Sequence, residues 1–239
     1  MTNIFQTAPF DLPASTNLSF CGCSFDWRQI CAESFHRYGV QVPAQRANWS
    51  RKRQAEYIAG RYCAIQALTD TAGPNSRPEL QIPIADNRRP QWPLGTLGSI
   101  SHSRDRAIAI AARDTDFSGL GIDCETLLSD TAAAEIAPWV VQRNDLSCKI
   151  EASLSYGLWV TLIFSAKESL FKALAPTHKK YIDFGQLSNM FFVSQITAKT
   201  LILNTEPHLD RGSRSNSQFE LFYRVVHHQI YTMALLPHS

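Results

Sequence analysis

The segment Gly119-Leu120-Gly121-Ile122-Asp123-Cys124-Glu125-Thr126 (GLGIDCET) has the composition of an apolar strand that ends in two carboxylates. Alternate side chains of a strand point to the same face, so Asp123 and Glu125 share one face while Ile122 and Cys124 face the core. Two carboxylates on one face repel each other unless a cation lies between them. The segment therefore predicts a strand whose end needs a cation.

The overall composition is that of an ordinary globular protein. The chain has 239 residues, 44% of them hydrophobic and 18% charged, which is enough for a sizeable core in one two-layered domain or in two small lobes. A net charge of +2 is too balanced to indicate nucleic acid as a partner. The N-terminus lacks the pattern of a signal peptide, and no apolar run is long enough to span a bilayer. We therefore expect a cytoplasmic protein without a transmembrane segment.

The cysteine content does not indicate a disulfide framework or a zinc site. In a reducing compartment the six cysteines are expected to be buried thiols. The only close pair, C-x-C, has no second Cys/His pair at a zinc spacing, which disfavours a metal site. The cysteines are Cys21, Cys23, Cys31, Cys63, Cys124 and Cys148.

Helical patterns alternate with strand patterns along the chain. Helical character is weak over Trp27–Tyr38 and strong over Ser50–Leu68, with Ser50 as N-cap, and over Tyr156–Leu174. A Pro-rich loop with short extended pieces is expected over 71–96. Strands are predicted at 97–103, 107–113, 119–126, 189–196, 200–204, 218–226 and 229–236. Each half thus runs helix first and strands after, which predicts an α+β fold of two similar lobes, 1–118 and 119–239.

One side of the helix predicted at Tyr156–Leu174 carries polar groups. Thr161, Ser165, Glu168 and Lys172 follow each other at intervals of four, three and four residues, opposite a broad apolar face. A Glu–Lys pair at this spacing is most simply a solvated surface pair. Alternatively, Glu168 joins Asp123 and Glu125 in a set of oxygen donors suited to Mg²⁺.

Basic residues are spread over several predicted elements. Each alone is typical of a solvated surface. If they converge near Mg²⁺, they predict a multiply phosphorylated ligand such as a nucleotide, although no Walker A or dinucleotide fingerprint is present. They are Arg51, Lys52, Arg53, Arg61, Arg88, Arg89, His102, Lys167 and Lys172.

Five segments between Arg51 and Pro176 identify a resemblance. RKRQAEYIAGRYCAIQAL, RRPQWP, GSISHS, GIDCE and FSAKESLFKALAP follow the order and approximate spacing of 4′-phosphopantetheinyl transferases of the Sfp type. The chain resembles most closely their enterobactin-synthase-associated branch. The resemblance implies two similar α+β lobes with pseudo-twofold symmetry and coenzyme A bound in the cleft between them.

The resemblance also implies roles for individual residues. It implies Mg²⁺, with Mn²⁺ as a substitute, on Asp123, Glu125 and Glu168. It implies coenzyme A phosphates at Ser101 and His102, and the diphosphate near Lys167 and Lys172. Further coenzyme A contacts are implied for Arg89 at the nucleotide end and for Arg53 or Lys52 at the 3′-phosphate. A coenzyme A contact is also implied for Arg61, and the alternative role for this residue is at the lobe interface.

The implied reaction transfers the 4′-phosphopantetheine arm of coenzyme A to a serine of a carrier protein. Lys172 and His102 would neutralise charge on the leaving group, and Glu168 would take the serine proton, directly or through a metal-bound water. The implied pathway is siderophore synthesis by a nonribosomal peptide synthetase. A polyketide or polyunsaturated fatty-acid synthase is the alternative client. A Mg²⁺-dependent phosphohydrolase and a non-catalytic binding protein are the alternative functions.

The carrier protein is expected to be small and acidic. We expect it to dock on the C-terminal lobe within 127–155, where Leu127, Leu128, Trp139 and Val140 are candidate exposed apolar residues, unless they belong to the core. A two-lobed chain contains both sides of its cleft, so we expect a monomer.

Overall fold

The structure is a computed structural model that describes residues 1–5, 9–10, 16–72, 80–142, 144–145, 154–175, 185, 189–205 and 217–238. Among these residues, the helices are α1 (Ser34–Arg37), α2 (Arg51–Ala72), α3 (Asp130–Val140) and α4 (Tyr156–Leu174). The strands within the same ranges are β1 (Thr2–Phe5), β2 (Ser19–Ser24), β3 (Thr96–Ser103), β4 (Arg106–Arg113), β5 (Gly119–Thr126), β6 (Phe191–Ile196), β7 (Thr200–Thr205), β8 (Gln218–Val226) and β9 (Gln229–Leu236).

The N-terminal lobe is an antiparallel sheet in the order β1-β2-β4-β3, with α2 packed across one face. Ser50 caps this helix, because its hydroxyl accepts a hydrogen bond from the Arg53 backbone N–H at 3.2 Å. On β4 the small side chains of Ala107, Ala109 and Ala111 face α2 and are fully buried in the core of this lobe, or nearly so. Small residues at alternate strand positions let the helix lie close to the sheet.

The C-terminal lobe is an antiparallel sheet in the order β5-β9-β8-β7-β6, covered by α4 and by α3 beside it. Ser155 caps α4 through a hydrogen bond from the Leu158 backbone N–H at 3.3 Å. The apolar face predicted for this helix is buried, with Leu162, Ile163 and Leu170 inaccessible to solvent. The predicted two-lobed α+β fold is confirmed.

A third apolar cluster joins the two lobes. It is built from the faces of β2 and β4 that point away from α2 and from the faces of β5 and β9 that point away from α4. Its buried members are Phe10, Phe20, Ile108, Ile110, Ala112, Leu120, Ile122, Cys124, Tyr231 and Met233. Ile122 and Cys124 therefore face a core, as the alternation of GLGIDCET predicts. The lobe boundary at 118/119 stays a prediction.

Helix α4 lies in close contact with β5 because two residues of the strand have no side chain. A Cβ atom on Gly121 would overlap the carbonyl oxygen of Ser169, and one on Gly119 would overlap that of Ala173. Glycine is the residue that permits so close an approach between two backbones. The other face of the same strand packs in the cluster between the lobes.

Three alternate serines of β3 connect the lobes edge to edge. The backbone N–H groups of Ile122, Cys124 and Thr126 donate to side-chain oxygens at 3.0, 3.3 and 3.2 Å. The acceptors are, in the same order, Ser99, Ser101 and Ser103. The residue offset is 23 at each step, so the two strands run parallel in this contact. We call these residues the serine ladder.

Several expectations from the sequence differ from the structure. The weak helical character of Trp27–Tyr38 corresponds to a 3₁₀ turn at Trp27–Gln29 and the short α1. Strands β1 and β2 were not predicted, because their letters lack a run of β-branched residues.

The buried-thiol prediction is confirmed for four cysteines and wrong for Cys31, which is exposed. Cys148 and Pro176 lie outside the described residues. The Cys63 Sγ lies 3.4 Å from that of Cys23, so the C-x-C pair packs with a third thiol in the N-terminal core. Within the described ranges, no helix has the length and apolar character needed to cross a membrane.

Replacing Gly121 by alanine tests the contact between α4 and β5. Because the new Cβ would meet backbone that cannot move independently, Gly121→Ala is expected to lower the free energy of unfolding by about 3 kcal/mol. Gly60→Ala in α2 is the matched control. Its Cβ would meet only the Ile100 Cγ2 methyl at 2.8 Å, and alanine gains about 1 kcal/mol of helix propensity. Urea unfolding followed by circular dichroism compares the two, and equal losses would contradict the proposed contact.

Candidate active site

Asp123 lies at the centre of the candidate site and is only 2% exposed. Its Oδ1 accepts hydrogen bonds from Ser101 Oγ at 2.8 Å and from Lys172 Nζ at 2.7 Å. Its Oδ2 accepts one from Ser165 Oγ at 2.7 Å. Residues of strand β3 and helix α4 thus donate hydrogen bonds to the Asp123 carboxylate of β5 from both sides. Burying a carboxylate costs free energy unless hydrogen bonds and a positive charge replace its contacts with water, and these three partners do so.

Two further carboxylates flank this aspartate. Burial and the nearby charge of Asp123 raise the pKa of Glu125 to about 8, although Ser103 Oγ donates to its Oε2 at 3.2 Å. Burial also raises the pKa of Glu168, which lies 4.0 Å from Lys172. The pKa of Lys172 is raised despite its burial, because Asp123 and Glu168 favour the ammonium form. The cluster has more negative charge than one lysine balances.

The donor set fits a hard divalent cation. The three carboxylates predicted as ligands, Asp123, Glu125 and Glu168, supply only oxygen, and burial together with the charge of Asp123 raises the pKa of both glutamates. Across the described parts of the chain, no three His, Cys, Asp or Glu side chains already stand at metal-binding geometry. The ammonium of Lys172 instead provides positive charge beside Asp123. Mg²⁺ bound among these carboxylates would offset both the burial and the repulsion from Asp123 that raise the pKa of Glu125.

The simpler interpretation of the Glu168–Lys172 pair as a solvated surface pair is wrong. The side chains of these two residues are 22% and 25% exposed, and Thr161 and Ser165 on the same stripe are buried. The stripe faces β5 and β9 rather than water, because the apolar face of α4 packs on the remainder of the sheet and on α3.

Ser101 is brought to the site, where its single hydroxyl proton points to Asp123. The Ser101 oxygen also accepts from the Cys124 N–H at 3.3 Å and from Lys172 Nζ at 3.2 Å. A serine hydroxyl has one proton and two acceptor positions, so these contacts use its capacity. Ser101 can donate to a phosphate only by releasing Asp123.

His102 and Arg53 lie next to this cluster. The Arg53 Nη1 is 3.2 Å from the His102 Nε2, and the guanidinium stacks on Trp49 at 5.5 Å from the ring centroid. Burial lowers the pKa of His102. The negative charge of Glu56 acts in the opposite direction and raises this pKa, whereas the positive charge of Arg53 lowers it further. Glu56 is also 3.5 Å from Arg53 and 4.0 Å from Lys52. One carboxylate therefore forms ion pairs with both basic residues that are candidates for the 3′-phosphate contact.

Arg61 is a buried guanidinium with an incomplete set of partners. It is 8% exposed, and its Cζ lies 4.7 Å from the centroid of the Tyr57 ring. Its Nε has no hydrogen-bond partner among the residues that the structure describes. Burial lowers the pKa of Arg61, which Tyr57 opposes. A bound anion would supply the missing acceptor.

Arg89 bridges the two lobes at the mouth of a cleft. Its guanidinium donates to the carbonyl oxygen of Ala175, the residue that caps α4. The cleft has a volume of about 190 Å³ and also includes Lys172. Its apolar lining comes from both lobes and includes Trp92, Ile100, Leu120 and Phe171. A flat aromatic or aliphatic group with phosphates attached matches this lining.

The structure does not bring Lys167 to the site, which corrects its predicted place near the diphosphate. Its side chain is 0% exposed, and Nζ donates to the Val140 carbonyl oxygen and to Asp145 Oδ2, both at 2.8 Å. Asp145 in turn accepts from the Val193 N–H at 2.6 Å. Lys167 therefore ties α4 to the end of α3 and to β6, inside the C-terminal lobe.

Three hydroxyl residues at the site were missed by sequence reasoning. Ser103 contacts Glu125, Ser165 contacts Asp123, and Thr232 of β9 lies 2.9 Å from Ser165. The S-x-S-x-S spacing in GSISHS was a signal for the first of them, because it places three hydroxyls on one face of a strand. Nothing in the letters around Thr232 indicates its position.

The fold and the site define the class of this protein. Two α+β lobes enclose a cleft with basic groups beside three carboxylates, an arrangement suited to cation-assisted chemistry on a phosphorylated ligand. The model of the 4′-phosphopantetheinyl transferase N-terminal domain matches residues 42–112, and that of the 4′-phosphopantetheinyl transferase superfamily matches 119–225. The chain belongs to the 4′-phosphopantetheinyl transferase superfamily.

Named relatives lead to the same family. The chain is 39% identical over 172 residues to enterobactin synthase component D of Salmonella typhi, covering 71% of this chain and 67% of that protein. It is 36% identical over 181 residues to the protein of that name from Escherichia coli K12, covering 72% and 82%. To the 4′-phosphopantetheinyl transferase PptT of Mycobacterium tuberculosis it is 32% identical over 136 residues, covering 56% of each chain.

Substitution of Lys167 separates a structural role from a role in ligand binding. Lys167→Met leaves the Asp145 carboxylate buried without its charge partner and is expected to lower the free energy of unfolding by about 3–5 kcal/mol. Adding Asp145→Asn removes that charge, keeps an acceptor for Val193 and should recover part of the loss. Lys172→Met is the control and should weaken binding of coenzyme A in calorimetry. If Lys167→Met weakened that binding and left stability unchanged, the corrected placement would be wrong.

Proposed function

We propose that this protein transfers the 4′-phosphopantetheine arm of coenzyme A to a serine of an apo carrier protein and releases 3′,5′-ADP. The observation that carries the proposal is the buried pair of Asp123 and Lys172 between two lobes, with Glu125 and Glu168 beside it. Membership of the 4′-phosphopantetheinyl transferase superfamily supports the same reaction. The site offers the two features that this reaction needs, carboxylates that can bind a divalent cation and basic side chains that can bind a diphosphate.

Asp123, Glu125 and Glu168 would hold Mg²⁺, or Mn²⁺ in its place. The ion would neutralise charge on the diphosphate and on the oxygen that leaves with 3′,5′-ADP. The support from this chain is the all-oxygen donor set and the proximity of Glu125 to Asp123, since burial and the charge of Asp123 together raise the pKa of Glu125. Asp123 is oriented by three hydrogen bonds before any ligand arrives.

Coenzyme A would lie in the cleft between the lobes with its phosphates among the basic groups. The basic residues Arg53 and His102 lie next to each other. In the same lobe, the Nε of Arg61 has no hydrogen-bond partner among the described residues. Arg89 and Lys172 line the cleft that contains the apolar surfaces of both lobes. Ser101 would reach a phosphate when its proton leaves Asp123. Lys167 is not included, because Asp145 holds it inside the C-terminal lobe.

In the reaction the serine oxygen of the carrier protein attacks the phosphorus of coenzyme A that bears the pantetheine arm. A bond from serine oxygen to phosphorus forms, the bond from that phosphorus to the oxygen of 3′,5′-ADP breaks, and the serine loses its proton. Glu168 is the proposed base, because its side chain is 22% exposed whereas that of Asp123 is 3% exposed and already accepts three hydrogen bonds. Lys172 and His102 would stabilise the charge on the departing diphosphate oxygen.

The proposed pathway is siderophore synthesis on a nonribosomal peptide synthetase, with peptidyl or aryl carrier domains as acceptors. The similarity to proteins named enterobactin synthase component D supports this choice. The monomeric state and the cytoplasmic location stay predictions.

The proposed docking surface for the carrier protein centres on Trp139. This side chain is 76% exposed at the end of α3. Val140 is buried, so its expected exposure is wrong, while Leu127 and Leu128 are partly buried against the C-terminal core. Part of the segment expected to dock the carrier, 143 and 146–153, lies outside the described residues.

A wide cleft near the same carboxylates has a charge suited to an acidic partner. It has a volume of about 880 Å³ and begins at Thr126, the residue after Glu125. Two acidic residues, Asp26 and Asp105, are outnumbered there by Arg28, Lys52, Arg104 and Arg106. An acidic carrier protein seated on Trp139 would be attracted by this charge.

Intact-mass spectrometry tests the transfer directly. An apo aryl or peptidyl carrier protein incubated with this protein, coenzyme A and Mg²⁺ is expected to gain the mass of one phosphopantetheine arm. EDTA and Asp123→Ala should each abolish the gain, because the first removes the cation and the second removes a ligand. Turnover of coenzyme A without any change in carrier mass would instead indicate a phosphohydrolase.

Replacing Trp139 tests the docking surface. Trp139→Ala is expected to raise the KM for the carrier protein about tenfold or more, because exposed tryptophans that anchor an interface contribute about 2 kcal/mol or more. The KM for coenzyme A should stay within about twofold. Leu94→Ala is the control, since Leu94 is a fully exposed apolar side chain of the other lobe. Equal effects of the two substitutions on the carrier KM would contradict the proposed surface.

A further inference from the structure

Behind Asp123, on the side away from Ser101, lies a cluster of buried hydroxyl groups. Ser165 and Ser169 of α4 and Thr232 of β9 have no exposed surface. Thr232 is the residue directly opposite Asp123 in the register of β5 with β9. Ser165 Oγ lies 2.7 Å from Asp123 Oδ2 and 2.9 Å from Thr232 Oγ1. The hydroxyls thus connect the aspartate to β9, the neighbouring strand of the C-terminal sheet.

The direction of the first hydrogen bond is fixed by chemistry. An ionised carboxylate only accepts hydrogen bonds, so the Ser165 hydroxyl donates its one proton to Asp123. Thr232 has one hydroxyl proton and two acceptors on Ser165 within reach, the carbonyl oxygen at 2.7 Å and Oγ at 2.9 Å, so Thr232 donates to Ser165 in either case. Ser169 Oγ donates within the same cluster to that carbonyl oxygen at 3.1 Å or to Thr232. Ser169 makes no hydrogen bond with Asp123.

We propose that Ser165 and Thr232 are positioning residues that hold the Oδ2 atom of Asp123 and thereby fix the orientation of this carboxylate as a metal ligand. The inference rests on the metal site of the proposed function. Without Ser165, the carboxylate would be held only through Oδ1, where Ser101 and Lys172 both bind, and rotation about the Cβ–Cγ bond would be less restricted. Groups that hydrogen-bond to metal ligands in this way contribute to metal affinity.

A purely structural role would have a different signature. Hydroxyls that only fill a buried space should all affect stability, and none should affect the binding of a cation. The three hydroxyls of this cluster are equally buried, but only Ser165 touches Asp123 and only Thr232 supports Ser165 from β9. The chain therefore supplies its own control in Ser169.

The test measures Mn²⁺ affinity by the electron paramagnetic resonance signal of the free ion, with coenzyme A present and no carrier protein, so that no transfer occurs. Ser165→Ala is expected to raise the Kd for Mn²⁺ by about tenfold or more, the range seen when partners of metal ligands are removed. Thr232→Val keeps the shape and removes the hydroxyl, and it should raise the Kd by a smaller factor. Thr232→Ser keeps the hydroxyl, and Ser169→Ala removes a hydroxyl of the same cluster that makes no hydrogen bond with Asp123, so both should stay within about twofold of the unsubstituted protein.

Binding of coenzyme A in EDTA and thermal unfolding accompany each measurement. The inference is overturned if both Ser165→Ala and Thr232→Val bind Mn²⁺ like the unsubstituted protein, if Ser169→Ala weakens binding as much as Ser165→Ala, or if the unsubstituted protein binds no Mn²⁺. Should Ser165→Ala not fold, the Thr232→Val and Thr232→Ser pair decides alone. The expected pattern of Mn²⁺ affinities without transfer to any carrier protein would overturn the proposed function and support the positioning role.

Discussion

The contact between the backbones of α4 and β5 decides where the charged groups of this protein meet. Gly119 and Gly121 leave no side chain between helix and strand, so the helix lies against the strand. A longer distance would separate Ser165 and Lys172 from Asp123, because a hydrogen bond of 2.7 Å allows no extra layer of atoms. The carboxylates of GLGIDCET and the polar stripe of α4 become one site through this close approach.

Two lysines of one helix illustrate how burial and partners determine function. Lys167 points into the C-terminal lobe, where Asp145 neutralises it and three main-chain contacts, to Val140, Gln142 and Val193, complete the pair. Lys172, five residues later, lies in a cluster with more carboxylates than bases. A balanced buried pair holds elements together, whereas an unbalanced cluster can accept a further cation. Helical spacing alone does not distinguish the two lysines.

The alternation in GLGIDCET was sufficient to predict which side chains share a face, because a strand has a period of exactly two. Helix α2 with its capping Ser50, helix α4 and most strands also follow from local pattern. The position of Lys167 was not predictable, since its partner Asp145 belongs to an irregular segment 22 residues earlier. Strand β2 was missed because Cys-Gly-Cys has no strand character by itself and is stabilised by its pairing with β4. The alternate spacing of the serines in β3 could be recognised in the sequence. That these serines accept hydrogen bonds from backbone N–H groups of β5 could not be predicted from it.

The serine ladder has a consequence for association between copies of this chain. Both β3 and β5 are edge strands of their sheets, and an uncovered edge strand is a template for pairing with a strand from another molecule. The outward-facing backbone N–H groups of β5 donate to the hydroxyl oxygens of Ser99, Ser101 and Ser103. Because these partners are side chains and not backbone carbonyls, they cannot continue the sheet. The junction between the lobes therefore protects the strand that carries Asp123 from edge-to-edge aggregation, and a C-terminal half produced alone would expose that edge.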